Sequence, residues 1–244
     1  MTGFQKQVNL YSSPAAEGQV ATNNPWIGYV AGPQGLLSGA NGCSIGRFAW
    51  ATYITAGDTP ERADSNPLLV ADGVSRVPSG FVHNEQQGSF TTYLAESGMA
   101  LLPWQAMELA TRGDFWAKHL LSGATRGNAV FANLQDGTVT SGASGGIIAN
   151  NAGTASFATN VMTVTIAPAA PLKVGDAITG ANIPANTYIK AFGTGTGGTG
   201  TYTLTTSPGT LSAQAFNSTS WIETRFKILS QALVNEFVKI GFGD

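Results

Sequence analysis

The sequence predicts an all-β protein: a sandwich or barrel with a second, small β-sandwich module inserted near its C-terminus. Three observations predict it. Short aromatic or β-branched runs recur along the chain, separated by Gly, Pro and Asp/Asn turns, which is the pattern of many short strands. Charged residues are only 11% of the 244 residues, while Gly fills 31 positions; an average soluble domain carries about 25% charge. That charge is also unevenly spread, since residues 152–219 hold 15 Thr but only Lys173, Asp176 and Lys190 as charged side chains.

Residues 1–13 stand apart as an arm, a polar and apolar mixture that precedes Pro14 and has no turn partner nearby. Residues 14–151 form the first part of a β domain. Its strand signals are Ser44-Ile45-Gly46-Arg47-Phe48-Ala49-Trp50, Phe90-Thr91-Thr92-Tyr93-Leu94, Asp114-Phe115-Trp116-Ala117-Lys118 and Asn128-Ala129-Val130-Phe131-Ala132-Asn133-Leu134. Stretches 104–112 and 226–237 also carry apolar residues at helical spacing, and strand is the preferred reading of most of both.

Residues 152–219 read as an inserted Gly/Thr-rich module. In Val161-Met162-Thr163-Val164-Thr165-Ile166 and Thr201-Tyr202-Thr203-Leu204-Thr205 apolar residues alternate with Thr, a period of two that marks half-buried strands. Outward Thr keeps such a sheet soluble without charge, because the hydroxyl hydrogen-bonds water while the methyl suits a pleated surface. Residues 141–146 and 213–218 have the composition of linkers, so the module is expected to move on a Gly/Ser hinge and to be replaceable by a short linker. Residues 220–244 return to the first pattern: Glu223, Arg225 and Lys227 alternate with Ile222, Phe226 and Ile228.

Lys+Arg of 12 against Asp+Glu of 14 gives a net charge of -2, with no basic footprint for nucleic acid and no polybasic tract for a membrane. Cys43 is the single cysteine and His83 and His119 the only histidines, so neither an internal disulfide nor a Cys/His zinc site can be built. The N-terminal residues lack the apolar core of a signal peptide, and folding in a reducing cytosol is expected.

Ser144 in Gly142-Ala143-Ser144-Gly145-Gly146 has the glycine flanks of some protease nucleophiles, with His83 and Asp114 as conceivable partners; a hinge is the simpler reading. Gly195-Thr196-Gly197-Gly198-Thr199-Gly200 fits a dinucleotide fingerprint, yet a strand follows it where a helix is required, so it reads as a mobile hairpin tip. Asp58, Glu61 and Asp64 read as a solvated loop with one helical turn, not a calcium site. His83 and His119 read as ordinary hydrogen-bonded side chains and Cys43 as a small core residue. Trp26, Tyr29, Phe48, Trp50, Trp104, Phe115, Trp116 and Phe131 are core before they are a contact surface for carbohydrate or protein.

Several segments resemble the structural cement (head decoration) proteins of tailed double-stranded DNA bacteriophages. They are Gly3-Phe4-Gln5-Lys6-Gln7-Val8-Asn9, Asn24-Pro25 leading into Tyr29-Val30-Ala31-Gly32-Pro33-Gln34-Gly35-Leu36, Ile45-Gly46-Arg47-Phe48-Ala49-Trp50, and residues 77–87, 113–116, 130–134 and 236–240. The resemblance implies a jelly-roll-like fold on the outer surface of a capsid in the virion, bridging neighbouring major capsid protein subunits, with the arm helping to fasten it. It implies no catalysis, and no cofactor or metal is expected. The capsid or partner interface is placed on Phe4, Gln5, Lys6, Val8 and Leu10 of the arm and on Trp26. A homodimer is the expected self-association, with a trimer next, and neither nucleic acid nor membrane is an expected partner. An adhesion protein holding host glycans through the module, and a hydrolase using Ser144, are the rival readings.

Overall fold

The computed structural model describes residues 16–52, 60–67, 72, 75–84, 99–119, 121, 123–146, 148 and 151–242. The described residues contain no α-helix, and the fold is all-β, built of curled sheets. The first strands are β1 (Ile27–Gly28), β2 (Leu36–Ser38), β3 (Cys43–Ser44), β4 (Phe48–Thr52), β5 (Glu61–Asp64) and β6 (Gly80–Phe81). They are followed by β7 (Ala100–Leu101), β8 (Ala110–Arg112), β9 (Asp114–Lys118), β10 (Ala129–Asn133) and β11 (Val139–Gly142). Then come β12 (Asn151–Ala158), β13 (Val161–Ile166), β14 (Ala177–Gly180), β15 (Ile189–Phe192), β16 (Gly200–Leu204) and β17 (Leu211–Thr219). The last two are β18 (Trp221–Ile228) and β19 (Phe237–Phe242).

Four sheets result among the described residues: three larger ones that curl, and a two-stranded one of β3 with β7. The first has the order β1-β8-β6-β4-β5-β2. Its edge strand β2 is covered by the run entering β8: Ser38 donates to the Gln105 carbonyl at 2.8 Å and Met107 to Leu36 at 3.0 Å. The second has the order β11-β10-β18-β19-β9, and its ends approach at a bridge between His119 and Val139. The third has the order β14-β17-β12-β13-β16-β15 and closes where Ile178 donates to Thr187 at 2.8 Å and Ile189 to Asp176 at 2.9 Å. Closure removes the row of unpaired backbone groups that an open sheet offers to other chains.

Period-two patterning decides which face is buried. In β9, Phe115 and Ala117 face inward; in β10, Val130 and Ala132 do. They meet Phe48, Trp50 and Phe81 of the first sheet, so the first two sheets pack as a sandwich around one core. The opposite face of the first sheet holds a second cluster, which includes Leu36, Ile45, Val82, Met107 and Leu109. Gly113 sits between Trp26 and Phe115 at φ +125, where a Cβ would come within 2.5 Å of the Trp26 side chain, so only glycine fits. In the third sheet Met162 and Val164 point inward with Phe157, Tyr202, Leu204 and Phe216, while Thr163 and Thr165 face water.

The structure departs from the sequence reading in four places. Glu61 to Asp64 is a strand, not a solvated turn, and both carboxylates are buried; Asp58 lies outside the described residues. Glu61 is retained there because it accepts from the Tyr29 hydroxyl at 2.8 Å and the Gly32 amide at 3.1 Å. Residues 213–218 are no linker but the middle of β17, paired with β12 on one side and β14 on the other. Ser141 and Gly142 belong to β11, and the following turn is pinned to β18, because Glu223 accepts from the Ser144 hydroxyl and the Gly145 amide, each at 2.7 Å. The glycine-rich hairpin after β15 is tied down as well: Tyr202 Oη accepts from Gly197 at 3.0 Å and donates to the Gly198 carbonyl at 2.7 Å. The strand signal at residues 90–94 falls outside the described residues.

Candidate partner-binding surfaces

Phe4, Gln5, Lys6, Val8 and Leu10 lie outside the described residues. What is described is where the chain joins the body after them. Gly18 donates to the Trp116 carbonyl at 2.7 Å, Ala21 to Asp114 at 2.8 Å, and Val20 bridges Phe115 antiparallel, so residues 18–21 run along the outer edge of β9. Trp26 is half-buried, with its ring centroid 4.6 Å from that of His83, which in turn stacks at 6.0 Å on Phe115. Its neighbours Ile27 and Val30 are the exposed ones, Val30 at 90%; they are the part of this surface that the sequence reading missed.

A second surface surrounds Trp104. Its backbone is left-handed at φ 69, a conformation costly for a bulky residue, and the segment is held there by a 3.0 Å bond from the Trp104 amide to the Ser38 carbonyl. The ring stays 51% exposed beneath the Arg62 guanidinium, 4.3 Å from its centroid, and Met99 and Leu102 are exposed nearby in sequence. A fixed, accessible Trp is the side chain most often found at the energetic centre of an interface.

The third sheet is seated on the body by buried polar groups. The Arg76 amide donates to Tyr188 Oη at 3.1 Å, its guanidinium lies 4.2 Å over the Tyr188 ring, and its carbonyl accepts from Trp50 Nε1 at 2.5 Å. Burial lowers the guanidinium pKa and raises that of the Tyr188 phenol. Ser220 donates to Asp176 at 2.5 Å, Gln135 to the Val174 carbonyl at 2.9 Å, and Lys190 pairs with Asp72. Tyr188 is therefore part of the body's own core cluster.

The groups with possible chemistry are otherwise engaged. Ser144 donates to Glu223, and His119 Nε2 lies 2.9 Å from Ser141 Oγ in a buried pair, so no histidine serves Ser144 among the described contacts. Asp114 accepts from Thr22 and Asn24 at 2.7 and 2.8 Å. Burial, then the Asp64 carboxylate, push the Cys43 thiol up to about 12, and it donates to the Ala63 carbonyl, which suits a core residue and not a nucleophile. Among the described residues no three His, Cys, Asp or Glu side chains gather as metal ligands do, and no helix is long and apolar enough to cross a membrane.

The sequence matches the XM1 gp53 minor capsid protein family over residues 4–242, which takes in the arm, both halves of the body and the Thr-rich sheet. The chain belongs to that family. No curated protein matches it. The minor capsid assignment gives the chain a structural role in a bacteriophage virion. It is broader than the head-decoration resemblance of the individual motifs.

Proposed function

We propose that this minor capsid protein is a cement: it binds the outer surface of the phage head, bridges major capsid protein subunits and stabilises the shell without catalysing a reaction. The observation that carries the reading is the match to a phage minor capsid family over residues 4–242, nearly the whole chain. The surfaces support it. Trp104 under Arg62, and Ile27 with Val30 beside Trp26, are apolar groups on fixed backbone, suited to many modest contacts that act together on a shell. The arm, through Phe4, Gln5, Lys6, Val8 and Leu10, fastens the protein to a neighbouring subunit. The body, residues 14–151 with 220–244, faces the shell, and the charge-poor sheet at 152–219 projects from it.

Cosedimentation with expanded heads tests this. Intact protein should pellet with heads, Trp104→Ala should weaken the association about tenfold or more, and deletion of residues 2–12 should weaken it while leaving the protein folded. Protein that stays in the supernatant would reject the cement reading.

A further inference from the structure

One strand position in the second sheet has no described occupant. β18 is paired on one side with β10, from Trp221 to Glu223 and again at Lys227, but on its other side β19 reaches it only at Phe226, Lys227 and Ile228. β19 runs to Phe242, opposite Phe226, and its outer neighbour β9 is paired with it as far as Asp114. Beyond that point the flanking chains continue, β18 as Glu223 to Arg225 and the run before β9 as Thr111, and no described strand lies between them. A hollow of about 680 Å³ opens there, lined by Thr111, Val77 and Ser79 together with Glu223, Thr224 and Arg225. Strands lie about 4.8 Å apart, so two chains separated by one vacant position admit a single extended segment.

The backbone of β18 is set for such a segment. Leu134 donates to the Ser220 carbonyl at 2.7 Å, and the register places Trp221 opposite Asn133, Ile222 opposite Ala132 and Glu223 opposite Phe131. Bonded and non-bonded pairs alternate in an antiparallel ladder, so Ile222 bonds to β10 while Trp221 and Glu223 turn their amides and carbonyls away from it. Trp221 is satisfied locally, because its amide donates to Thr219 Oγ1 at 3.1 Å. The Glu223 amide and carbonyl are left for the opening. The charge left there is positive. The Glu223 carboxylate already accepts from Ser144 and Gly145, whereas Arg225 is exposed and pairs with no carboxylate among the described residues. Arg112, also exposed, lies over the Phe242 ring at the same end.

We infer that this opening takes, as an added strand, an extended segment of the major capsid protein that carries an acidic residue, bonded through the Glu223 amide and carbonyl and with its carboxylate on Arg225. The contact deepens the cement reading and rests on it. Main-chain bonds supply the affinity of such strand addition and side chains its specificity. A second copy's body is poorly equipped to supply the segment: among the described carboxylates Glu61, Asp64, Asp114 and Asp176 are buried, and Asp72 and Asp136 are paired with Lys190 and Arg47.

Hydrogen exchange of the intact protein, free and bound to expanded heads, tests this together with cosedimentation. On heads, residues 221–225 should become protected. Arg225→Glu should weaken pelleting about tenfold or more, and Arg225→Gln, which removes the charge without reversing it, should weaken it less. Arg225 is exposed, so both variants should melt at the temperature of the intact protein. Heads that bind the protein while residues 221–225 exchange as in the free chain, or while Arg225→Glu pellets like the intact protein, overturn the inference and leave the cement reading standing. Protection that appears in the free protein with rising concentration and is lost in Arg225→Glu assigns the edge to a second copy and overturns it too. Protein that never pellets with heads removes both.

Discussion

The third sheet and the body use charge differently. Residues 152–219 hold three charged side chains, and two of them, Asp176 and Lys190, are engaged at the joint with the body by Ser220 and Asp72. The outer face is left to Thr. In the body, buried carboxylates work inside the fold as loop anchors: Glu61 holds Tyr29 and Gly32, Asp64 accepts from Asn41 at 3.1 Å, and Asp114 holds Thr22 and Asn24. A closed sheet with short hairpins satisfies its own backbone and needs few such anchors. The body spans long irregular connections between short strands, and its carboxylates satisfy amides and hydroxyls that no ladder reaches.

That comparison breaks first at the joint. Tyr188→Ala should lower stability by about 3–5 kcal/mol, because it empties a buried aromatic site and strips the ring from a buried guanidinium. Calorimetry should then resolve two transitions where the intact protein shows one, and a loss below about 1 kcal/mol would mean that the two regions merely touch. Tyr188→Phe keeps the ring and loses only the acceptor for the Arg76 amide, which should cost about 1 kcal/mol.

Anchoring inside the body is sharpened by Glu61→Ala. It leaves the Tyr29 hydroxyl and the Gly32 amide without their acceptor, and denaturant unfolding should show a loss of about 2 kcal/mol. Lys173→Ala, the charge in the third sheet not paired with the body, should change stability by less than about 0.5 kcal/mol. Equal losses would erase the contrast between the regions.

Much of the architecture was legible in the residues, and what was not has a common cause. Val161–Ile166 reads as a strand because Thr alternates with apolar residues, and β13 has those limits. β9 and β10 announce themselves through aromatic and β-branched runs. Glu61–Asp64 was opaque because its carboxylates are satisfied by Tyr29 and Asn41, more than twenty residues away. Residues 213–218 carry small polar side chains that suggest a linker, and become strand only because β12 and β14 flank them. The pairing of Arg76 with Tyr188 spans 112 positions and leaves no local trace. At the candidate surfaces, Trp104 could be named from composition, but its exposure and its left-handed backbone depend on the edge of β2.

The smallest effect concerns acid. Burial lowers the pKa of His119 below its ordinary value of 6.5, so as pH falls through the histidine range the unfolded chain takes up a proton that the folded protein does not, and stability drops. Burial raises Glu17, Asp64 and Asp176, which acts the other way: the folded form takes up their protons first, so they favour folding in acid and lose that contribution as pH rises. Comparison with His119→Gln isolates the first effect. From about pH 7.5 to about pH 5 the native protein should lose stability relative to that variant, and parallel curves would show that His119 takes up its proton equally in both states.

The central claim is that the body cements the phage head while the Thr-rich sheet rides on it. It is tested most directly by the temperature at which DNA-filled heads rupture when bare, decorated with intact protein, or decorated with protein whose residues 152–219 are replaced by a short Gly/Ser linker. Anything that binds only the intact shell stabilises it, so both decorated samples should rupture at a higher temperature than bare heads. Identical rupture temperatures for bare and fully decorated heads would contradict the cement function, and protection lost only with a shortened protein that still unfolds cooperatively would move the holding contact to the Thr-rich sheet.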